Sequence, residues 1–455
     1  MTLRSLSRVA CAGVLVGAGL MSSAASAQEQ PWLKDRRYTE GPGYRTGDLE
    51  IHPGLAGEVG YDSNYFLRAS SEKPIETARL RLTPSLALST LSAQRRVGDT
   101  GLAEPAKVDF RSQAALSFSE FIPTQSTTSD QVKEQRNVSA IANVQLSILP
   151  HRPWGGSLFG DFVRSVQPSQ NPDANFNRMV GRVGGDIAWQ PGGGVFDWRL
   201  GYEFAAVAFQ DDAFKNLGTT QSTVSTRGRW RFLPRTAWMY DASIGFIRYT
   251  DSTSPQRDSD PVRARIGING LVTPSFALLA MAGWGSSFYN ENQKSRVSAQ
   301  QFDGPIGQAE LRWFITPNPS SDPAAATLAL SSIAVGYQRD FFNSYLGEYY
   351  TRDRGYLNLS HFFSGRLLVV VDGGAARIGY PQFYVPASNT QVGKFADLRV
   401  DASLFAEYRF VDSFGVNVTG RYTANISDKT VPIGAGVDDL AWTRLEAYLG
   451  VRWLM

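Results

Sequence analysis

Apolar and polar residues alternate along most of this chain with a period of two. Val138, Ala140, Ala142, Val144, Leu146 and Ile148 share one face, opposite Asn137, Ser139, Asn143, Gln145 and Ser147. Phe196, Trp198, Leu200, Tyr202 and Phe204 oppose Asp197, Arg199 and Glu203, and Val262, Ala264, Ile266 and Ile268 oppose Arg263, Arg265 and Asn269. That period puts successive side chains on opposite faces of a β-strand. It predicts strands near 49–66, 76–92, 107–121, 134–149, 155–167, 177–190, 194–210, 219–233, 236–250, 261–273, 275–289, 301–316, 325–342, 351–363, 366–381, 393–410, 413–427 and 438–455. The count is about 18, with 16 the other even number within reach. Alternation fails over Leu367 to Asp372 and Leu328 to Ile333, where bulges at Gly373-Gly374 and Ser331-Ser332 would restore it.

The breaks between strands are of two kinds, and they alternate. Short Pro/Gly-rich turns stand at 149–154, 190–194, 233–235, 273–275, 364–366 and 411–413. Longer polar segments stand at 168–176, 211–218, 251–260, 290–300, 343–350, 381–392 and 428–437. Connections near 93–106 and 317–325 fall on the short side but are longer than the others. A soluble sandwich alternates too, but with shorter strands and two inner faces. Long strands with short turns on one side and long loops on the other predict an all-β, transmembrane antiparallel barrel of a bacterial outer membrane, over residues 48–455. The strands exceed the roughly 9–11 residues needed to cross a bilayer, so several should project beyond it.

Both ends of the chain fit that destination. Residues 1–27 read as a signal peptide for the Sec route: Arg4 and Arg8, an apolar stretch from Val9 to Met21, then Ala25-Ser26-Ala27 with cleavage at Ala25 and Ala27. The apolar stretch is only about half the roughly 20 residues of a spanning helix. Residues 28–47 form a short polar periplasmic leader. At the other end Leu445, Ala447, Leu449, Val451, Trp453 and Met455 alternate with Arg444, Glu446, Tyr448, Gly450 and Arg452. This segment resembles the C-terminal signal read by the barrel-assembly machinery, carried by Tyr448, Gly450, Trp453 and Met455, with Met455 where the signal usually has Phe.

Composition narrows the chemistry. The single cysteine, Cys11, lies in the signal, so disulfides, thiol metal sites and a cysteine nucleophile are not expected. The chain has 45 Lys+Arg against 42 Asp+Glu, a balance that points away from nucleic acid. Only His52, His151 and His361 are present. His361 falls on an apolar face and Ser360 on the other, so no Ser–His pair forms along that strand. Neither catalysis nor a metal or other cofactor is expected.

The polar faces are rich in paired charges. Arg199, Arg227, Arg229, Arg231, Arg263, Arg265, Arg399, Asp401, Glu407, Arg409, Arg444 and Arg452 are the expected pore-lining set, with Arg227, Arg229 and Arg231 beside Asp197, Arg199 and Glu203 for cross-strand pairing. Such ladders stiffen a hydrated wall, or they create a positive field that selects anionic or polar solutes. Trp189, Trp230, Phe232, Trp238, Trp313, Phe410 and Trp453 gather near the short turns, where an aromatic girdle would meet outer-membrane lipid.

Within residues 48–67, Pro53 to Leu55 start the first strand and Gly60-Tyr61-Asp62-Ser63-Asn64 close it. This opening resembles the type 2 β-barrel porin family. The resemblance implies a wide barrel that exports a secreted polysaccharide with a separate periplasmic polysaccharide co-polymerase, since no helical-repeat domain precedes the barrel. The expected function is therefore outward passage of a hydrophilic polymer, most simply an exopolysaccharide. A diffusion porin for small polar or anionic solutes is the alternative and would need an inward-folded constriction. A plugged structural or adhesive barrel is the third reading. No long segment is over about a dozen residues, which favours an open or externally gated lumen.

Overall fold

The computed structural model describes residues 43–69, 71–90, 107–126, 129–150, 152–166, 176–191, 194–252, 254, 256–291, 298–315, 331–364, 366–385, 390–433 and 436–455. Among them, 18 antiparallel strands form one closed barrel. In chain order they are β1 (Leu49–Asp62), β2 (Thr77–Thr90), β3 (Val108–Pro123), β4 (Asn137–Ile148), β5 (Trp154–Ser165), β6 (Arg178–Trp189), β7 (Phe196–Phe209), β8 (Thr219–Leu233) and β9 (Thr236–Tyr249). Then follow β10 (Ser259–Thr273), β11 (Phe276–Tyr289), β12 (Phe302–Phe314), β13 (Ser331–Asn343), β14 (Tyr349–Phe363), β15 (Leu367–Tyr380), β16 (Phe395–Val411), β17 (Phe414–Ile426) and β18 (Trp442–Leu454).

Each strand pairs with its chain neighbours, and β1 closes on β18 from Gly54 opposite Leu454 to Asp62 opposite Glu446. Closure removes the free edges at the two ends of the sheet and pairs most of the backbone within the wall. The seam is tied at the short-turn end, where Met455 N–H donates to Pro53 O (3.0 Å) and His52 Nδ1 lies 2.8 Å from Met455 O. A short strand, Tyr44–Thr46, folds back on β1.

The predicted alternation sorts the two faces. Outward lie large apolar side chains such as Ile187, Ile266, Val335, Leu449 and Trp230, each about half exposed or more. Inward lie the charges, paired within a strand, between adjacent strands, or across an intervening strand as in Arg227–Asp186 and Arg354–Asp401. Aromatic rings cluster at the short-turn end, with Trp154 stacked on Trp189 (6.0 Å) and Phe276 on Trp313 (6.1 Å). At the long-loop end the outer face turns polar: Arg248–Asp260 (2.7 Å), Arg339–Asp353 (2.8 Å), Arg136–Glu120 (2.6 Å), and Trp284 Nε1 on Asp303 (2.6 Å). An apolar outer band between an aromatic girdle and a polar collar is the profile of a membrane-spanning barrel.

The expected bulges are corrected. Gly373 and Gly374 stay in register with both neighbours, opposite Leu357 and Tyr356 on β14 and Ala402 and Asp401 on β16. Ser331 and Ser332 pair regularly with His361 and Ser360. Register shifts occur at Thr236/Ala237, Leu271/Thr273 and Arg409/Val411, beside short turns. Alternation fails on β15 because Leu368 and Val370 are apolar yet face inward, packing with Ile141 on Ala56, Ala115 and Phe405. Residues 328–330 lie outside the described residues, as do 93–106, 317–325 and His151.

The long segments carry structure that the sequence pattern did not announce. A short helix, Ser129–Lys133, follows β3. A 3₁₀ turn spans Asp212–Leu217 and is capped by Asp211, whose Oδ1 accepts from Ala213 N–H (3.0 Å). Small hairpins form from Phe383–Val385 with Thr390–Val392, and from Thr430–Ile433 with Gly436–Asp439. The first strand ends at Asp62 rather than residue 66. There Asp62 Oδ1 accepts from Asn64 N–H (3.2 Å), and Asn64 Nδ2 donates to Arg68 O and Thr443 O, turning the chain over the rim.

Candidate permeation pathway

All 12 sequence-selected lumen residues belong to inward-facing positions, but the structure divides them between two walls. Along β5 to β10 most of the paired charges are part-buried, and Arg227 is the most exposed of them. Asp186 receives Arg199 (3.5 Å) and Arg227 (3.4 Å), Asp241 receives Arg265 (3.0 Å), and Asp161 faces Arg182 (3.9 Å). The Arg227 side chain remains 64% exposed. Arg229 sits opposite Asp197, yet Asp197 bonds Arg199 (3.2 Å) and Gln190 (3.0 Å) instead. Among the described residues no carboxylate lies within 4.0 Å of Arg229 or Arg231. The expected charge pairing of β7 with β8 is thus not formed among the described residues: Arg227 reaches past β7 to Asp186 on β6, and the other two guanidiniums face the lumen.

The other wall, from β14 through β18 to β2, is packed. Glu407 is fully buried between Arg409 (2.7 Å) and Arg452, which it contacts closely. Arg444 clamps Asp62 with Nη2 (2.5 Å) and Glu446 (3.1 Å), Arg79 donates to Tyr448 OH (2.8 Å), and Arg81 pairs Glu58 (2.7 Å). Arg354, outside the sequence-selected set, bridges Asp401 (2.5 Å) and Asp372 (3.5 Å). Arg399 lies beneath the Trp442 ring (5.7 Å) and is buried. Buried charges require such counterions, because an uncompensated one is costly in a low-dielectric site. Tyr448 and Gly450 of the terminal strand face this packed interior, and Trp453 faces out. Ala25 and Ala27 lie outside the described residues.

The mouth at the long-loop end is spanned by a hairpin. Pairing of β12 with β13 stops at Gly307 opposite Arg339, while β13 and β14 stay paired to Asn343 opposite Tyr349. The free end of this hairpin leaves the wall and crosses the lumen. Arg263 of β10 holds Asp340 (3.2 Å) and donates to Phe341 O (2.7 Å), with its guanidinium over the Phe341 ring (4.1 Å). Phe341 also stacks on Phe302 (4.2 Å), and Asn343 Nδ2 donates to Ser259 Oγ (2.6 Å). At the tip, Gln256 Nε2 donates to Tyr345 O (2.8 Å) and Arg257 pairs Glu348 (3.4 Å). The Tyr345 ring reaches Phe176 (5.8 Å) and Phe209 (6.1 Å), beside β6 and β7 on the far wall. Leu346 and Tyr350 pack against Tyr380, Phe383, Phe395, Val431 and Leu440, so the segments after β15 and β17 join the same roof.

Of the two expected states, open or externally gated, this arrangement is nearer the second, with the loop-side mouth spanned among the described residues. Segment length was a poor guide: the strands themselves bend inward, so a five-residue tip reaches the opposite wall. No alternation signal marks it, because Asp340 and Phe341 are both buried, on opposite sides of one strand.

The tip turns at Gly347, whose φ of 71° favours glycine and whose added Cβ would meet Phe383 Cβ at 2.8 Å. Gly347→Ala should therefore cost the closed hairpin about 1–2 kcal/mol in backbone strain alone, seen as more frequent openings in single-channel recordings. Glu348 provides a pH handle. Burial pushes its carboxyl above the ordinary value of 4.5, against the opposing pull of Arg257, and Glu291 on the same arginine adds to the rise. A carboxyl raised in the closed state and ordinary in an open one favours closure when protonated. Closure should weaken as pH rises through the raised value and strengthen on acidification. Conductance measured from neutral pH downward should fall, and Glu348→Gln should flatten the response.

No family profile matches this sequence, and no curated protein matches it. Among solved structures, the chain is similar to OccAB4 of Acinetobacter baumannii, at 12% identity over 91% of this chain and 100% of that one (TM-score 0.43). It is similar also to the outer membrane protein opdK of Pseudomonas aeruginosa, at 10% identity over 89% and 99% (TM-score 0.43). A bacterial polysaccharide outer membrane secretin aligns at 8% identity over 90% and 99% (TM-score 0.31). The protein is an outer-membrane-type β-barrel by its own architecture: 18 strands, a closed seam and an apolar outer band.

Proposed function

We propose that this barrel is a diffusion channel for small polar solutes, with a preference for anions. The observation that carries the reading is the hairpin Asp340–Tyr350 laid across the mouth, whose contacts with Arg263, Gln256 and Phe176 put it in the way of a polymer. Beneath it, the arginines of β7 to β10 face the interior, and among the described residues no carboxylate lies within 4.0 Å of Arg229 or Arg231. Rings of side-chain charge set selectivity in hydrated pores. Polysaccharide export with a periplasmic co-polymerase, as the type 2 porin resemblance implies, would require the whole roof to swing aside.

The test is reconstitution in planar bilayers under a salt gradient, with liposome swelling in sugars of increasing size. A diffusion channel gives a reversal potential of anion-selective sign, which Arg229→Ser with Arg231→Ser moves toward zero, and a sharp sugar-size limit. Passage of long dextrans would replace this reading with polymer export. Absence of conductance under every condition would leave a plugged barrel.

A further inference from the structure

The outer wall carries a feature that the permeation pathway does not use. Five outward-facing positions lie side by side across five strands: Val451 on β18, Gly57 on β1, Leu82 on β2, Phe118 on β3 and Val138 on β4. Gly57 has no side chain, and an added Cβ there would meet no atom within 4 Å. The surface is concave around it, forming a furrow of about 970 Å³ with mainly apolar walls. Nearby, the β2–β3 ladder lapses at Thr83 and Pro84, where Pro84 lacks an N–H and Thr83 Oγ1 instead bonds Ser117 Oγ (2.9 Å).

The furrow's position says what it meets. Its upper rim is formed by Glu120 and Arg136, two residues beyond Phe118 and Val138 on the same outward face. They are part of the polar collar that runs around the long-loop end, the level of lipid headgroups in the outer leaflet. Arg136 uses Nε (2.6 Å) and Nη2 (2.7 Å) on Glu120 and remains 72% exposed, so its Nη1 donors stay available. A planar guanidinium at headgroup level is suited to a phosphate oxygen.

We infer that this furrow seats the acyl chains of one outer-leaflet lipid, whose phosphate is held by Arg136. A second copy of the barrel fits less well. A two-fold contact sets the same patch against itself, so furrow would face furrow and enclose a void, which packed interfaces avoid. Flexible acyl chains fill a concave apolar surface without that penalty.

Native mass spectrometry of the full chain in mild detergent tests the assignment, with lipid A and its dephosphorylated form as probes. One lipid A should remain bound per barrel when other lipid is stripped. Gly57→Leu fills the furrow without a clash and should abolish that retained lipid. Arg136→Gln should erase the preference for the phosphorylated form while leaving the chains' site intact. Retardation of unboiled protein on gels verifies that each variant is folded. Equal retention by Gly57→Leu and the unaltered protein overturns the furrow as the site. No preference between the two probes overturns the role of Arg136. A dimer mass that Gly57→Leu converts to monomer would show a second copy as the occupant.

Discussion

Replacing Ser344–Glu348 with a two-glycine link should raise single-channel conductance severalfold and remove its response to acidification. The tip supplies the contacts that hold the roof to the far wall: Tyr345 on Phe176 and Phe209, the Gln256 bond to Tyr345 O, and the Arg257–Glu348 pair. Without it, the hairpin keeps its base, because Arg263 still holds Asp340 and Phe341 still stacks on Phe302. The barrel should therefore fold normally while its mouth widens. Asp340→Ala tests the base separately. It frees one face of Arg263 and should raise open probability less than the tip deletion does, because the Phe341 O bond and the ring contact persist. Unchanged conductance in the tip deletion would mean that some other segment obstructs the lumen.

Glu407→Ala should be the most destabilising single change in the barrel wall. It leaves Arg409 and Arg452 buried without their common counterion, and breaking a buried pair from one side costs about 3–5 kcal/mol. Asp241→Ala removes the partner of Arg265, where the two side chains are 32% and 20% exposed, and the expected cost there is smaller than for Glu407→Ala, because water reaches the guanidinium that is left. The comparison is made by urea-induced unfolding of the barrel folded into lipid vesicles. A third variant sharpens it: Glu407→Leu, Arg409→Leu and Arg452→Met together remove all three charges, and stability should return close to that of the unaltered protein. Equal losses for Glu407→Ala and Asp241→Ala would mean that both walls are equally hydrated.

The contrast between these two walls shows where reading the chain runs out. Period-two alternation placed Arg227 and Arg409 alike on inward faces, and both are inward. Yet one is 64% exposed and the other is almost wholly buried. Nothing in the local pattern separates them, because burial depends on which distant side chains share the space. His361 was legible in the same way. Its outward face followed from its position in the strand, but its Nδ1 contact with Ser331 Oγ (2.7 Å) depended on the register between β13 and β14. Nothing in the local pattern marks Arg354 as a bridge, because its partners, Asp372 and Asp401, come from two following strands.

What the amino-acid sequence determined by itself is the barrel: the strands, most of their boundaries, the facing of side chains wherever the alternation is regular, and the two kinds of connection. The reason is local. A strand's side-chain period is fixed by backbone geometry, and in a membrane-spanning wall every position must suit either lipid or the interior. What only the tertiary structure decided is the state of the lumen. The inward bend of Asp340–Tyr350, the reach of Tyr345 to the far wall and the burial of Glu407 arise from contacts between residues remote in the chain. Such contacts leave no periodic mark, since each depends on where the closed barrel brings its walls together.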